Sequence, residues 1–157
     1  MADGTVESIY IAATPQEATH AVDLVVAIPG AGLEGDRYER KQGTFYKPEP
    51  DYELTLSEME AIEALRRDYQ VDLAAGEARR NIVTRNVALN HLVGKEFSIG
   101  EVRIRGIRLC EPCAHLQKVS GKPVIKGLLH RGGLRAQILT QGTIRVGDLV
   151  TADAGAV

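Results

Sequence analysis

The chain predicts a mainly β, β-rich α+β fold: a closed or partly open β-barrel with a few peripheral helices. Three observations carry that expectation. Short alternating apolar runs recur, as in Val6 to Ala13, Val102 to Leu109 and Leu134 to Leu139, each bounded by turn-forming residues. A strong helical period occurs in one stretch only, Ser57 to Asp68. Hairpin-type breaks at Gly100-Glu101 and Gln141-Gly142 follow one another in the C-terminal part. A doubly wound α/β sheet fits poorly, because it needs a crossover helix between most strands. With 157 residues, one domain over 1–157 is expected, since a chain of this size buries roughly 70% of its unfolded surface without staples.

Taken in order, Val6 to Ala13 reads as the first strand, Pro15 to Ala18 as a turn or short helix, and Ala21 to Ile28 as the second strand, closed by Pro29. Gly30 to Arg37 is a glycine-rich structured loop with two acids and an arginine. Its third glycine comes too early for a dinucleotide-binding fingerprint, and no helix follows. Tyr38 to Asp51, with Gly43, Pro48 and Pro50 among charges, reads as a surface excursion. Tyr52 to Leu56 is extended, and Ser57 with Glu60 suggests a capping box for a helix to about Asp68. Its stripe Met59, Ile62, Leu65, Tyr69 packs on the sheet.

Arg79-Arg80-Asn81-Ile82-Val83-Thr84 opens a further strand with two arginines and an asparagine at its mouth. That pattern suits an anion clamp, or surface charges paired with Glu77. Asn86 to Leu92 makes one helical turn, and Lys95 to Ile99 with Val102 to Leu109 forms a hairpin. Ala114 to Val119 and Gly121 to Leu129 are short helices. Leu134 to Leu139 and Thr143 to Val146 read as a second hairpin, and Leu149 to Ala152 as the last strand.

Both cysteines of the chain lie at the end of the run Val102 to His115. Val102 and Ile104 share one face, whereas Ile107 and Leu109 share a face in the opposite phase, so the parity flips near Gly106. A β-bulge there explains the flip, because one extra residue re-aims every later side chain. Pro112 ends the ladder and leaves Cys113 in a loop. Arg103, Arg105 and Arg108 before it and His115 after it favour the thiolate, if the fold turns their charges toward the loop. Cys110 is out of phase with Ile107 and Leu109 and reads as a resolving or packing thiol.

Composition limits the partners. The formal net charge is −2, so the whole-molecule field gives no reason to expect nucleic acid or an anionic membrane. No apolar run approaches the roughly 20 residues that span a bilayer, and the start Met1-Ala2-Asp3-Gly4 has no signal-peptide pattern, so a cytoplasmic location is expected. Two cysteines three positions apart suggest redox, catalytic or metal chemistry rather than a disulfide framework. One alternative is a zinc-binding or thiol-based interaction module using Cys110, Cys113, His115 and His130, although the second tightly spaced ligand pair of a structural zinc site is missing. A thiol–disulfide oxidoreductase places its cysteine pair at a helix start in a thioredoxin-like pattern, which this chain lacks.

Five segments in order carry a resemblance: Gly32-Leu33-Glu34-Gly35-Asp36-Arg37; Arg79-Arg80-Asn81-Ile82-Val83; Val93 to Gly100; Pro112-Cys113; and Arg131-Gly132-Gly133 followed by Gly142 to Asp148. Over residues 22 to 152 the chain resembles the MOSC domain, found at the C-terminus of molybdenum cofactor sulfurases and in small standalone proteins. The resemblance implies a β-barrel with a functional cysteine, associated with molybdopterin and with sulfur carried as a persulfide. It makes Cys113 the catalytic cysteine, as molybdenum ligand or persulfide carrier, and Arg79, Arg80 and Asn81 the cofactor clamp, with Arg37 a further candidate. Arginine forks suit the phosphate of molybdopterin, an asparagine amide suits its ring, and a thiolate suits the metal.

The implied role is sulfur transfer in cofactor sulfuration, or the cofactor-binding part of a small molybdenum-dependent reductase. A sulfur donor or an electron-transfer protein is the expected partner. The chain is too short to add the pyridoxal-phosphate desulfurase domain of the sulfurases, so no pyridoxal phosphate is expected.

Overall fold

The computed structural model describes residues 4–44, 46–112 and 114–152, and of Ala114, His115 and Val119 it describes the backbone. Its strands are β1 (Gly4–Ile11), β2 (His20–Val22), β3 (Leu24–Ile28), β4 (Gly32–Leu33), β5 (Leu54–Glu58), β6 (Ile82–Arg85), β7 (Glu96–Ile99), β8 (Val102–Leu109), β9 (Leu134–Ile138), β10 (Gly142–Arg145) and β11 (Leu149–Ala152). The helices are α1 (Met59–Tyr69), α2 (Ala114–Ser120) and α3 (Ile125–Leu128), with 3-10 turns at Pro50–Tyr52, Ala75–Ala78 and Leu89–Leu92.

Seven strands in the order β11-β7-β8-β9-β5-β6-β1 close into a barrel through the β1–β11 pairing, and β2 extends β1 as a flap. The expected barrel is therefore present and closed. One neighbouring pair in it, β5–β6, is parallel. A parallel pair cannot be joined by a tight turn and needs a crossover; α1, the strongly periodic helix of the sequence, is that crossover.

The barrel interior is the main core, built from alternate residues such as Val102 and Ile104 of β8, Leu134, Ala136 and Ile138 of β9, and Phe97 and Ile99 of β7. A second apolar cluster lies outside it, where Ile62 and Leu65 of α1 meet Leu116, Val124 and Leu128 of the α2–α3 segment. The α1 stripe is thus shared out: Ile62 and Leu65 are buried, while Tyr69 is exposed at the last turn.

The parity flip in β8 is real. Gly106 pairs with Ala136 and Arg108 with Arg135, leaving Ile107 as the extra residue of a bulge. Gly106 is required there for a second reason, since a Cβ would stand 2.1 Å from the Leu92 carbonyl oxygen. The bulge lets Leu109 oppose Leu134 on the inner face and turns Arg108 outward beside Arg135.

Several local expectations are corrected. Ser57 belongs to β5 and does not cap α1; the cap position is Glu58 with no side-chain bond, and Glu60 instead accepts from the Asn86 amide at 2.8 Å. Strand pairing with β6 has drawn Ser57 into the sheet, a tertiary demand that outweighs a local cap worth about 1 kcal/mol. The stretch Ala21 to Ile28 is split at Asp23, with β2 on the barrel and β3 in a separate three-stranded sheet β10-β3-β4. For the same reason β9 and β10 are no hairpin: β10 leaves the barrel to pair with β3.

Candidate functional site

At one rim of the barrel, where β1, β6 and β8 end or begin next to β5 and β9, a small cleft of about 60 Å³ is lined by Arg37, Arg79, Arg80 and Arg135, together with Thr55 and Cys110. Leu116 of α2 and Glu111 close it from the helical side. The space is that of a few water molecules, or of one oxyanion.

Each arginine is aimed by the backbone. Arg80 is buried and donates to three carbonyls: Nε to Gly132 at 2.8 Å, Nη1 to Ala78 at 3.3 Å and Nη2 to Cys110 at 3.2 Å. Arg79 holds a left-handed backbone, φ 58°, which a side-chain-bearing residue adopts at some cost. It donates Nη1 to the Glu17 carbonyl at 2.8 Å and Nη2 to that of Pro15 at 3.2 Å. Arg37 is set by the glycine-rich loop: buried Asp36 accepts from the Ala12 amide and from Arg37 Nη1, both at 3.1 Å, and Arg37 Nη2 reaches the Arg79 carbonyl at 3.3 Å. A guanidinium has five N–H donors, so Arg37, Arg79 and Arg80 each keep at least two beyond these bonds.

The charge is poorly balanced. Burial, and then the neighbouring Arg37 charge, press the Arg79 guanidinium below the usual arginine range. The carboxylate bonded to this wall is Asp36. Positive groups packed in a half-dry cleft favour an anion, whose arrival relieves both the repulsion and the desolvation.

Asn81 sits differently. It does not line the cleft; its Oδ1 accepts from the amide and hydroxyl of Thr55 at 3.2 and 3.1 Å, and its Nδ2 donates to the Tyr10 carbonyl at 3.1 Å. The Asn81 amide returns a bond from its own N–H to Thr55 Oγ1 at 3.0 Å. It fastens β1, β5 and β6 together and presents Thr55 to the cleft.

The cysteine region is described up to Pro112. Cys110 is buried, lines the cleft and is a free thiol. Its amide donates to the Gly133 carbonyl at 2.8 Å. Cys113 and the side chain of His115 lie outside the described residues. His130 is bonded through Nδ1 to Glu111 Oε2 at 2.7 Å, and among the described residues no group of three or more His, Cys, Asp or Glu is placed to hold a metal ion.

The arginines before the cysteines are paired with carboxylates. Arg103 and Arg105 reach Glu96 at 3.7 and 2.7 Å, and Arg108 Nε bonds Asp51 at 2.6 Å. They face outward on β8 and find carboxylates there; positive charge reaches the end of β8 from Arg80 and the cleft instead.

The profile of the MOSC domain matches residues 44–151. The chain belongs to the MOSC domain family. This family is associated with the molybdenum cofactor. Solved structures with the same fold include the YuaD protein of Bacillus subtilis, 16% identical, TM-score 0.79, covering 95% of this chain and 94% of that one. YiiM of Geobacillus stearothermophilus is 15% identical with TM-score 0.73, over 98% of this chain and 78% of that one. YiiM of Escherichia coli is 17% identical with TM-score 0.67, over 97% and 69%. No curated protein matches the sequence. Among the described residues of this MOSC domain, no helix is long and apolar enough to cross a membrane.

Among the cleft residues that escape a reading of the sequence are Thr55 and Arg135. Parity alone marks Arg135, since Leu134, Ala136 and Ile138 turn inward on β9 and leave it outside. Its place beside the Arg79-Arg80 pair depends on β9 pairing with both β5 and β8, which no local pattern announces.

Proposed function

We propose that this MOSC domain binds molybdopterin through its phosphate at the arginine cleft, and that Cys113, in the loop that follows, is the molybdenum ligand or the carrier of sulfur as a persulfide. The observation that carries the reading is the wall of Arg37, Arg79 and Arg80, each oriented by backbone carbonyls and each with donors to spare. The cleft is the size of an oxyanion and fits the phosphate end of the group. For the larger ring, Arg79 also lines a neighbouring cavity of about 560 Å³ with Tyr10, Gln16 and Thr19, within the range of small-molecule pockets.

When bound, the cofactor supplies a metal centre for redox or sulfur chemistry. The chain's own residues hold its anionic end and fix the carbonyl of Cys110 through Arg80, so that the loop leaves a stiff anchor. Asn81 in this reading acts through Thr55 and holds the strands that carry the clamp. Work in sulfur transfer to a cofactor, or as part of a small molybdenum-dependent reductase, both require a partner protein: a sulfur donor in the first case, an electron donor in the second. A cytoplasmic setting would keep Cys113 available as a thiol for either role.

The test is intact-protein mass spectrometry with metal analysis on protein purified from a cofactor-producing host. Bound molybdopterin with molybdenum, or one added sulfur atom at Cys113, is expected. Stoichiometric zinc without pterin would instead establish the module built on Cys110, Cys113, His115 and His130.

A further inference from the structure

Arg108 and Arg135 are directly opposed across β8 and β9, and like charges in that position repel. The two are treated unequally. Arg108 is neutralised by Asp51 at 2.6 Å and also donates to the Tyr52 hydroxyl at 3.4 Å. Arg135 has no acceptor among the described residues, and its Nε is shut off from solvent without one. Its guanidinium lies over the Tyr52 ring, 5.0 Å from the centroid, and it lines the same cleft as Arg80. Stacking fixes where a guanidinium lies but leaves its in-plane N–H donors open. A buried donor with no partner, stiffened in place and set on a cation-lined cleft, is a group waiting for an acceptor.

We propose that Arg135 is an anion-binding residue of this cleft, which takes a tetrahedral oxyanion of the phosphate type between Arg80 and Arg135. Tyr52 is its positioning residue, acting through the stack. Arg80 contacts the anion from the Gly132 side with donors left over from its carbonyl bonds, while Arg135 contacts it with donors that meet no acceptor among the described residues. The inference rests on the anion-site part of the function proposed above and not on the identity of the cofactor. The phosphate has two possible sources, a free ion or the phosphate of a pterin, and the chemistry of recognition is the same for both.

The experiment is titration of cofactor-free protein with inorganic phosphate, followed by calorimetry or by amide NMR shifts. Wild type should bind phosphate, and Arg135→Gln should weaken it about tenfold or more, the loss expected for a charge-assisted bond. Arg135→Lys should recover part of the affinity. Arg105→Gln, which removes a positive charge of β8 already paired with Glu96, should change it less than about twofold. Tyr52→Leu should weaken phosphate binding while thermal stability stays close to that of Arg135→Gln. Failure of wild type to bind phosphate, an unchanged affinity in Arg135→Gln, or an equal loss in Arg105→Gln would each overturn the assignment. Cofactor content of wild type is measured separately: phosphate binding through Arg135 without any retained molybdopterin would defeat the proposed function and leave this site standing. Molybdopterin retained by a protein whose phosphate affinity ignores Arg135 would do the reverse.

Discussion

Replacing Arg80 by alanine tests whether this residue builds the rim as well as the anion site. Its side chain is buried and satisfies the carbonyls of Gly132, Ala78 and Cys110 at 2.8, 3.3 and 3.2 Å. A hydrogen bond involving a charged group contributes about 1.5–3 kcal/mol, and an orphaned buried acceptor costs about 1–3 kcal/mol. These terms are not additive, and removing a half-desolvated charge gives some of the energy back. A net loss of about 3–4 kcal/mol follows, which in a chain of 157 residues lowers Tm by roughly 6–16 °C. Arg80→Lys keeps the charge but cannot span three carbonyls with one nitrogen, so about half of the loss should remain. Urea unfolding at neutral pH, followed by circular dichroism, measures both. An Arg80→Ala protein within about 1 kcal/mol of wild type, with an unchanged m-value, would refute the structural role. The same figures show why loss of cofactor in Arg80→Ala alone would say little about the clamp, and why Arg135, which braces no carbonyl among the described residues, is the better probe.

Three further outcomes are expected. Cys113→Ser should abolish molybdenum or persulfide loading while Cys110→Ser keeps it, read by metal analysis and intact mass; equal loss in both would point to a shared zinc or disulfide site. Gly106→Ala should destabilise by about 2–3 kcal/mol in urea, because the new methyl group meets the Leu92 carbonyl oxygen at 2.1 Å and backbone cannot step aside cheaply; a near-neutral effect would mean the bulge adapts. Glu53 is buried with its Oε1 accepting from the Gly30 and Ile138 amides at 3.1 and 3.2 Å, and burial raises its pKa despite those bonds. A raised folded-state pKa contributes stability that is complete below the unfolded value and is lost as pH rises through the folded one. Glu53→Gln should therefore gain on wild type between about pH 4 and pH 7; unfolding curves whose difference is flat over that window would disprove it.

Much of the barrel was legible because strands that face a core on one side must alternate, and β7, β8 and β11 do. The bulge at Gly106 could be read from parity alone, since Val102 and Ile104 are out of step with Leu109. The arginines of the cleft were legible as residue types at a strand mouth. What each one bonds was not: the carbonyl partners of Arg80 come from Gly132 and Cys110, far along the chain and brought together by β8–β9 pairing. Asn81 shows the limit most clearly, for nothing local announces that β5 places Thr55 against its amide. The β9–β10 hairpin failed for a similar reason, because Gly142 and its neighbours suit a tight turn equally well whether or not the next strand changes sheet.

The barrel is closed by the strands nearest the two ends of the chain, with Gly4 opposite Val150. β1 then runs from that seam to Ile11, next to the loop that places Arg37, a path of about 23 Å at the usual strand rise. Gly4 and Ala152 thus both lie at the end of the barrel away from the arginine mouth. Immobilisation through a label at exposed Thr151 would therefore orient the mouth toward solvent, a practical route to surface-based capture of whatever delivers or removes its ligand.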